Sequence, residues 1–147
     1  MRIITILICV LSLQGCIFVP VLDTFTRSGL TPHQRAAELP KTVKNFQDFV
    51  FWGDLNKALD MVVPQERKAI NQALLSIPSN ERVVEAKLIS ADYSEDVYDA
   101  DVIVQTKSFN KNTLAVHERN IKEKWEYHLG TGWQMSGFDL ATQLAKQ

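Results

Sequence analysis

Glu123 is the residue of this chain best placed to do chemistry. It sits in a stretch, 114–128, whose apolar residues recur with a period of two, and it shares parity with His117, Arg119, Ile121, Trp125, Tyr127 and Leu129. A carboxyl on the apolar face of a sheet is driven toward its neutral form by desolvation, and its raised pKa would let it act as a base. Glu123, Arg119, His117, Tyr98 and Trp125 therefore make a candidate pocket, suited to a small-molecule binder or to an enzyme using the space around Glu123. A plainer arrangement uses the same residues. In it Glu123 pairs with Arg119 or reaches the rim, or a bulge turns His117 and Arg119 outward.

Other constellations carry less. His33, His117 and His128 show no paired ligand spacing, so no metal site is expected. Asp92, Glu95, Asp96, Asp99 and Asp101 suggest calcium ligands but lack the glycine and closing glutamate of an EF-hand loop; they read as a solvated hairpin tip. Gly130-Thr131-Gly132 is too short to cradle a phosphate and reads as a turn. No cofactor is implied. The balance of 16 Lys+Arg against 17 Asp+Glu leaves a net charge of −1, which disfavours a nucleic-acid partner.

The elements that would position Glu123 divide into helices and then strands. Thr31-Pro32-His33-Gln34 is a capping box with proline in the first turn, starting a short helix that Pro40 should end near Leu39. A second helix is expected from Pro40 to Trp52, burying Val43, Phe46, Phe49 and Val50. Gly53-Asp54 ends it and caps a third, 55–62, with Leu55, Ala58, Leu59 and Val62 inside. Pro64 opens a further turn of chain to about Ile77, with Ile70, Ala73, Leu74 and Ile77 on one face.

Strands are expected at 82–92, 97–109, 114–128 and 132–137. Phe109 facing Leu114 across Asn110-Lys111-Asn112-Thr113 would set Asp99 opposite Lys124, Asp101 opposite Lys122, Val102 opposite Ile121 and Tyr98 opposite Trp125. In that register Glu123 lies between Ala100 and Gly137. The last hairpin puts Trp133 opposite Tyr127 and Met135 opposite Trp125. In the first strand, Val84, Ala86 and Leu88 share a face while Ile89 and Ala91 switch parity, which predicts a bulge. The fold class is α+β: N-terminal helices packed on a curved four-stranded antiparallel sheet.

The N-terminus carries a different signal. Arg2 precedes an apolar run, Ile3 to Leu13, that has the form of a secretory signal and is too short to span a bilayer comfortably. Leu13-Gln14-Gly15-Cys16 resembles the bacterial lipobox, with Gln14 in place of the usual small residue. The resemblance implies a diacylglycerol on the Cys16 thiol, cleavage before Cys16 and acylation of the new amino group. Cys9 would leave with the signal, so the anchored protein would keep no free thiol for catalysis, a disulfide or a metal. More than one acyl chain gives stable anchoring. Ile17 rather than Asp follows the cysteine, which points to the outer membrane if the cell is Gram-negative.

The expected organisation is a signal at 1–15, a lipidated cysteine and apolar tether at 16–31, a helix-plus-sheet domain at 32–137 and a tail at 138–147. The tether is unusual. Ile17, Phe18, Val19, Val21, Leu22 and Phe25 would expose too much apolar surface if free. Three docks are open to them: their own domain, the membrane surface, or a protein partner or second copy.

Phe46, Phe49, Trp52-Gly53-Asp54-Leu55 and Ala58-Leu59, followed by a long meander closing on Trp125-Glu126-Tyr127, Gly130 and Gly132-Trp133, resemble the nuclear-transport-factor-two-like superfamily with its cystatin-like cone fold. The resemblance covers about residues 32–137 and implies a curved sheet wrapping a long helix, a conical cavity and dimerisation through the sheet. Its members include isomerases and dehydratases, and also non-catalytic modules of lipoproteins and secretion machines. Ketosteroid-type catalysis pairs an acidic base with tyrosine and protonated-acid oxyanion donors. Tyr98 and Tyr127 are present, but no residue-by-residue match to that set exists. The expectation is a lipid-anchored envelope protein with a non-catalytic, partner-binding domain.

Overall fold

The computed structural model describes residues 31–78 and 80–139. The signal, Cys16, the apolar tether and the tail beyond Asp139 lie outside the described residues. Three helices, α1 (Pro32–Trp52), α2 (Leu55–Asp60) and α3 (Arg67–Leu75), precede four strands, β1 (Glu81–Tyr93), β2 (Asp99–Asn110), β3 (Val116–His128) and β4 (Gly132–Asp139). The strands form one antiparallel open sheet in the order β1-β2-β3-β4, with helices packed against it. The protein is of the α+β class. Among the described residues no helix is long and apolar enough to cross a membrane.

The capping box forms as expected: the Gln34 amide N–H donates to Thr31 Oγ1 and the Thr31 N–H to Gln34 Oε1, both at 3.3 Å. Pro40, however, does not end the helix. α1 runs through it for 21 residues. An interior proline removes one N–H and leaves the carbonyl four residues earlier without its partner, at a cost of about 3 kcal/mol. Here that carbonyl belongs to Ala36, and the Tyr93 hydroxyl donates to it at 3.1 Å. Leu39, Val43 and Phe46, on both sides of the proline, are buried in one core. Packing and a long-range hydrogen bond therefore override the local rule. Gly53 ends α1 in the left-handed region at φ 77°, and Asp54 caps α2 by accepting from the Lys57 N–H at 3.4 Å.

After α2 the chain runs beside β4. The Val63 N–H donates to Met135 O at 3.0 Å and the Met135 N–H to Met61 O at 2.9 Å. This closes the β4 edge of the sheet and leaves β1 as the opposite edge. β1 carries the bulge expected at Ile89 and a second one at Val84.

The β2–β3 register differs from the expected one by two residues. Phe109 faces Val116, Asp101 faces Lys124, Val104 faces Ile121 and Ala100 faces Trp125. The cause lies in the turn. The Asn110 side chain accepts from the N–H groups of Asn112 and Thr113 at 2.9 and 3.2 Å, so Asn110 starts the turn as the last strand residue. Leu114, at φ 56°, closes the loop instead of opening β3. A shift of two preserves the alternation, so every inward side chain stays inward while its cross-strand partner changes. The β3–β4 pairing is as expected up to Trp125, Tyr127 with Trp133 and Trp125 with Met135, and shifts by one residue beyond a bulge at Lys124–Trp125.

Candidate functional site

Glu123 is buried to 1% exposure beneath α1, as fully enclosed as the largest apolar side chains of the core. Both carboxyl oxygens are engaged. Trp125 Nε1 donates to Oε2 at 3.0 Å, and the Gln47 amide meets Oε1 at 2.5 Å. Trp125 is itself fixed by an edge-to-face contact with Phe46, centroids 5.8 Å apart. Burial pushes the Glu123 carboxyl up to about 8, against the smaller downward effect of its Trp125 and Gln47 hydrogen bonds. Burial therefore favours the neutral acid over the carboxylate, with Gln47 Nε2 and Trp125 Nε1 each donating to one of its oxygens.

The neighbours of Glu123 are not those the sequence suggested. Val102 and Phe138 flank it in place of Ala100 and Gly137. The shifted β2–β3 turn accounts for the first change. A bulge between Lys124 and Trp125 accounts for the second, setting Gly137 against Lys124, whose Cβ would lie 3.3 Å from a Cβ placed on the glycine. The small residues thus do not flank the carboxyl.

The five candidate pocket residues separate into four places. Glu123 and Trp125 are bonded to each other. Arg119 lies opposite Thr106, its side chain 43% exposed, and donates to Glu81 Oε1 at 3.0 Å rather than to Glu123. His117 lies opposite Ser108, whose buried hydroxyl has no hydrogen-bond partner among the described residues. Tyr98 falls outside β2, where its ring meets that of Tyr127 at 6.2 Å. Leu129, expected inside, is 63% exposed just past the end of β3.

Two functional residues were missed by the sequence reading, Gln47 and Arg35. Arg35 is 3% exposed. Its guanidinium stacks 4.1 Å above the Tyr98 ring and 5.6 Å from that of Tyr127. It donates to Val97 O at 2.9 Å and to Asp96 O at 2.6 Å. Those two carbonyls belong to the β1–β2 turn, which Val97 enters at φ 56°, a left-handed conformation that a branched residue adopts only under constraint. Arg35 and Gln47 both stand four residues from members of the buried stripe, Leu39 and Val43, and that spacing was the available signal. Arg35→Met should lower stability by about 2 kcal/mol, because it leaves two turn carbonyls without the donor that a buried guanidinium supplies and removes the cation–π contact. Urea unfolding measures the loss.

A groove of about 580 Å³ lies between the C-terminal half of α1 and β1, with Val43, Gln47, Phe51, Val84, Leu88 and Val104 among its lining. Gln47 thus faces the groove and also holds Glu123, so the buried acid sits one side chain behind it.

The described residues form an α+β domain in which Glu123, Gln47 and Trp125 make a buried acid–amide–indole cluster. No protein-family model, curated protein or solved structure matches the chain.

Proposed function

We propose that this is a lipid-anchored protein of the bacterial cell envelope whose α+β domain, of the cystatin-like cone type, binds a partner without catalysing a reaction. Leu13-Gln14-Gly15-Cys16, standing directly after an uncharged apolar run, carries this reading. Acyl chains on Cys16 hold the protein at the membrane, at the periplasmic face of the outer membrane in a Gram-negative cell. The partner is a protein of a secretion or envelope assembly, or a second copy of the chain, contacted through Ile17, Phe18, Val19, Val21, Leu22 and Phe25.

A catalytic or ligand-binding role for the space around Glu123 is the weaker reading. A general base must come within hydrogen-bond reach of the proton it takes, and Glu123 is 1% exposed with both oxygens occupied. Its arrangement serves to specify the packing of α1 on β3.

Deleting residues 17–25 while retaining Cys16 tests the partner contact. Recovery of cross-linked partners from native membranes should fall several-fold, with the protein still in the membrane fraction. Undiminished recovery with intact anchoring would contradict the assignment.

A further inference from the structure

We infer that two copies of this chain pair antiparallel along β1, centred on Ala86, and so join their sheets into one. The strand has an edge to offer. The chain after α2 closes the β4 edge, whereas β1 pairs with β2 alone. β2 alternates buried and more open positions, as a strand under a helical layer should, but Val84, Glu85, Ala86 and Lys87 of β1 are exposed one after another. α1 therefore stops short of covering this strand, and the groove between them opens at its edge. A strand with unpaired backbone N–H and C=O groups is a template for another strand. The bulges at Val84 and Ile89 blunt the ends of the edge and leave Glu85–Leu88 as its regular run.

Symmetry and charge select the occupant and its register. Antiparallel strands related by a twofold axis normal to the sheet keep each side chain on its own face, so the axis passes through a residue rather than between two. Within the regular run it falls on Glu85, Ala86, Lys87 or Leu88. On Glu85 or Lys87 it sets that residue against its own copy, and like charges directly opposite destabilise a pair. On Leu88 it gives neither charge an opposite charge. On Ala86 it sets Glu85 against Lys87 of the second copy, and Lys87 against Glu85 of the second copy. Val84 then faces Leu88 on both sides of the axis. A single register matches both the charges and the apolar residues.

Both charges are available for this pairing. Lys107 Nζ meets Glu85 Oε2 at 2.9 Å, while Glu85 Oε1 accepts no hydrogen bond and Lys87 forms no ion pair among the described residues. The other charged pair lining the groove, Lys44 with Asp48, is closed within α1 at 2.6 Å and does not compete. Val84 is 49% exposed and lines the groove with Trp52, so Leu88 of the second copy would supply an apolar neighbour at its mouth. The contact uses the edge of the sheet, not its face. It involves residues of the domain alone and is independent of the reading of Ile17–Phe25.

Sedimentation equilibrium of the full chain in density-matched detergent tests the pairing. Glu85→Lys places two lysines on the edge of each copy, and Lys87→Glu places two glutamates there. Each variant alone should dimerise about tenfold or more weakly than the native chain, because both attractive pairs become repulsive. Mixed in equal amounts, the two variants should recover the dimer as a heterodimer, since every lysine then faces a glutamate. That recovery excludes misfolding of either variant as the cause of its weakness. Amides of residues 84–88 should gain protection from hydrogen exchange as the native chain is concentrated, and should not in either variant alone. The chain lacking residues 17–25 should dimerise as the native chain does. A native chain that stays monomeric up to its solubility limit would overturn the inference. So would single variants that dimerise undiminished, or a mixture that dimerises no better than its components. A dimer lost on deletion of residues 17–25 would belong to that segment and would equally overturn the pairing along β1.

Discussion

Glu123→Gln should stabilise the domain at and above neutral pH and remove most of the fall in its stability as pH rises. In the unfolded chain the carboxyl ionises with its ordinary pKa of 4.5, whereas burial in the fold holds it at about 8. Below 4.5 both states carry the proton and the group contributes no pH dependence. Between 4.5 and 8 the unfolded chain has lost a proton that the native protein keeps, so the native state binds more protons and stability falls as pH rises. The slope approaches about 1.4 kcal/mol per pH unit, and above the folded pKa the loss levels off. Glutamine keeps the shape of the site: its carbonyl accepts from Trp125 Nε1, and its amide donates to the Gln47 carbonyl once the Gln47 amide turns over. The variant should therefore gain a few kcal/mol over the native chain at the alkaline end, in line with the penalty of ionising a buried acid. Glu123→Leu removes the titration too but leaves Gln47 and the indole N–H unserved, at about 1–3 kcal/mol for each group. Urea unfolding of the three chains across this pH range gives the profiles. A native profile as flat as that of Glu123→Gln would show that the acid is not held neutral.

Cys16→Ser has a still larger expected effect, on location rather than stability. Serine lacks the thiol on which a diacylglyceryl thioether forms, so all acylation at this position should disappear. The remaining apolar run, Ile3 to Leu13, is short of the roughly 20 residues that span a bilayer. Nearly all of the protein should therefore leave the membrane fraction, and metabolic labelling with a fatty acid should give no signal. The domain should keep its native unfolding midpoint, because residues 31–139 contain no cysteine. Retention of the serine variant in membranes at the native level would remove acyl anchoring from the account.

The strands were legible because alternation survives errors of register. Shifting β3 by two residues left Ile121, Glu123, Trp125 and Tyr127 facing inward, so the class of fold and the burial of Glu123 were readable although its neighbours were not. What set the neighbours was the side chain of Asn110, which moves the turn by one residue, and a bulge at Lys124–Trp125 that alternation does not encode. Pro40 misled for a related reason. The group that satisfies the Ala36 carbonyl, Tyr93, lies 57 residues away from it, where local rules cannot see it. Gln47 and Arg35 were legible in principle, since a polar residue at the spacing of a buried stripe requires a partner. The partner of Gln47 was the very carboxyl that had drawn attention as a possible base. A buried acid with both oxygens hydrogen-bonded is a structural element of the α1–β3 packing.

Mass spectrometry of the N-terminal peptide of the protein extracted from native membranes decides whether acyl chains hold it there. The chain should begin at Cys16, with a diacylglyceryl group on sulfur and a further acyl chain on the amino group. A chain that retains residues 1–15, or one with an unmodified cysteine, would contradict it.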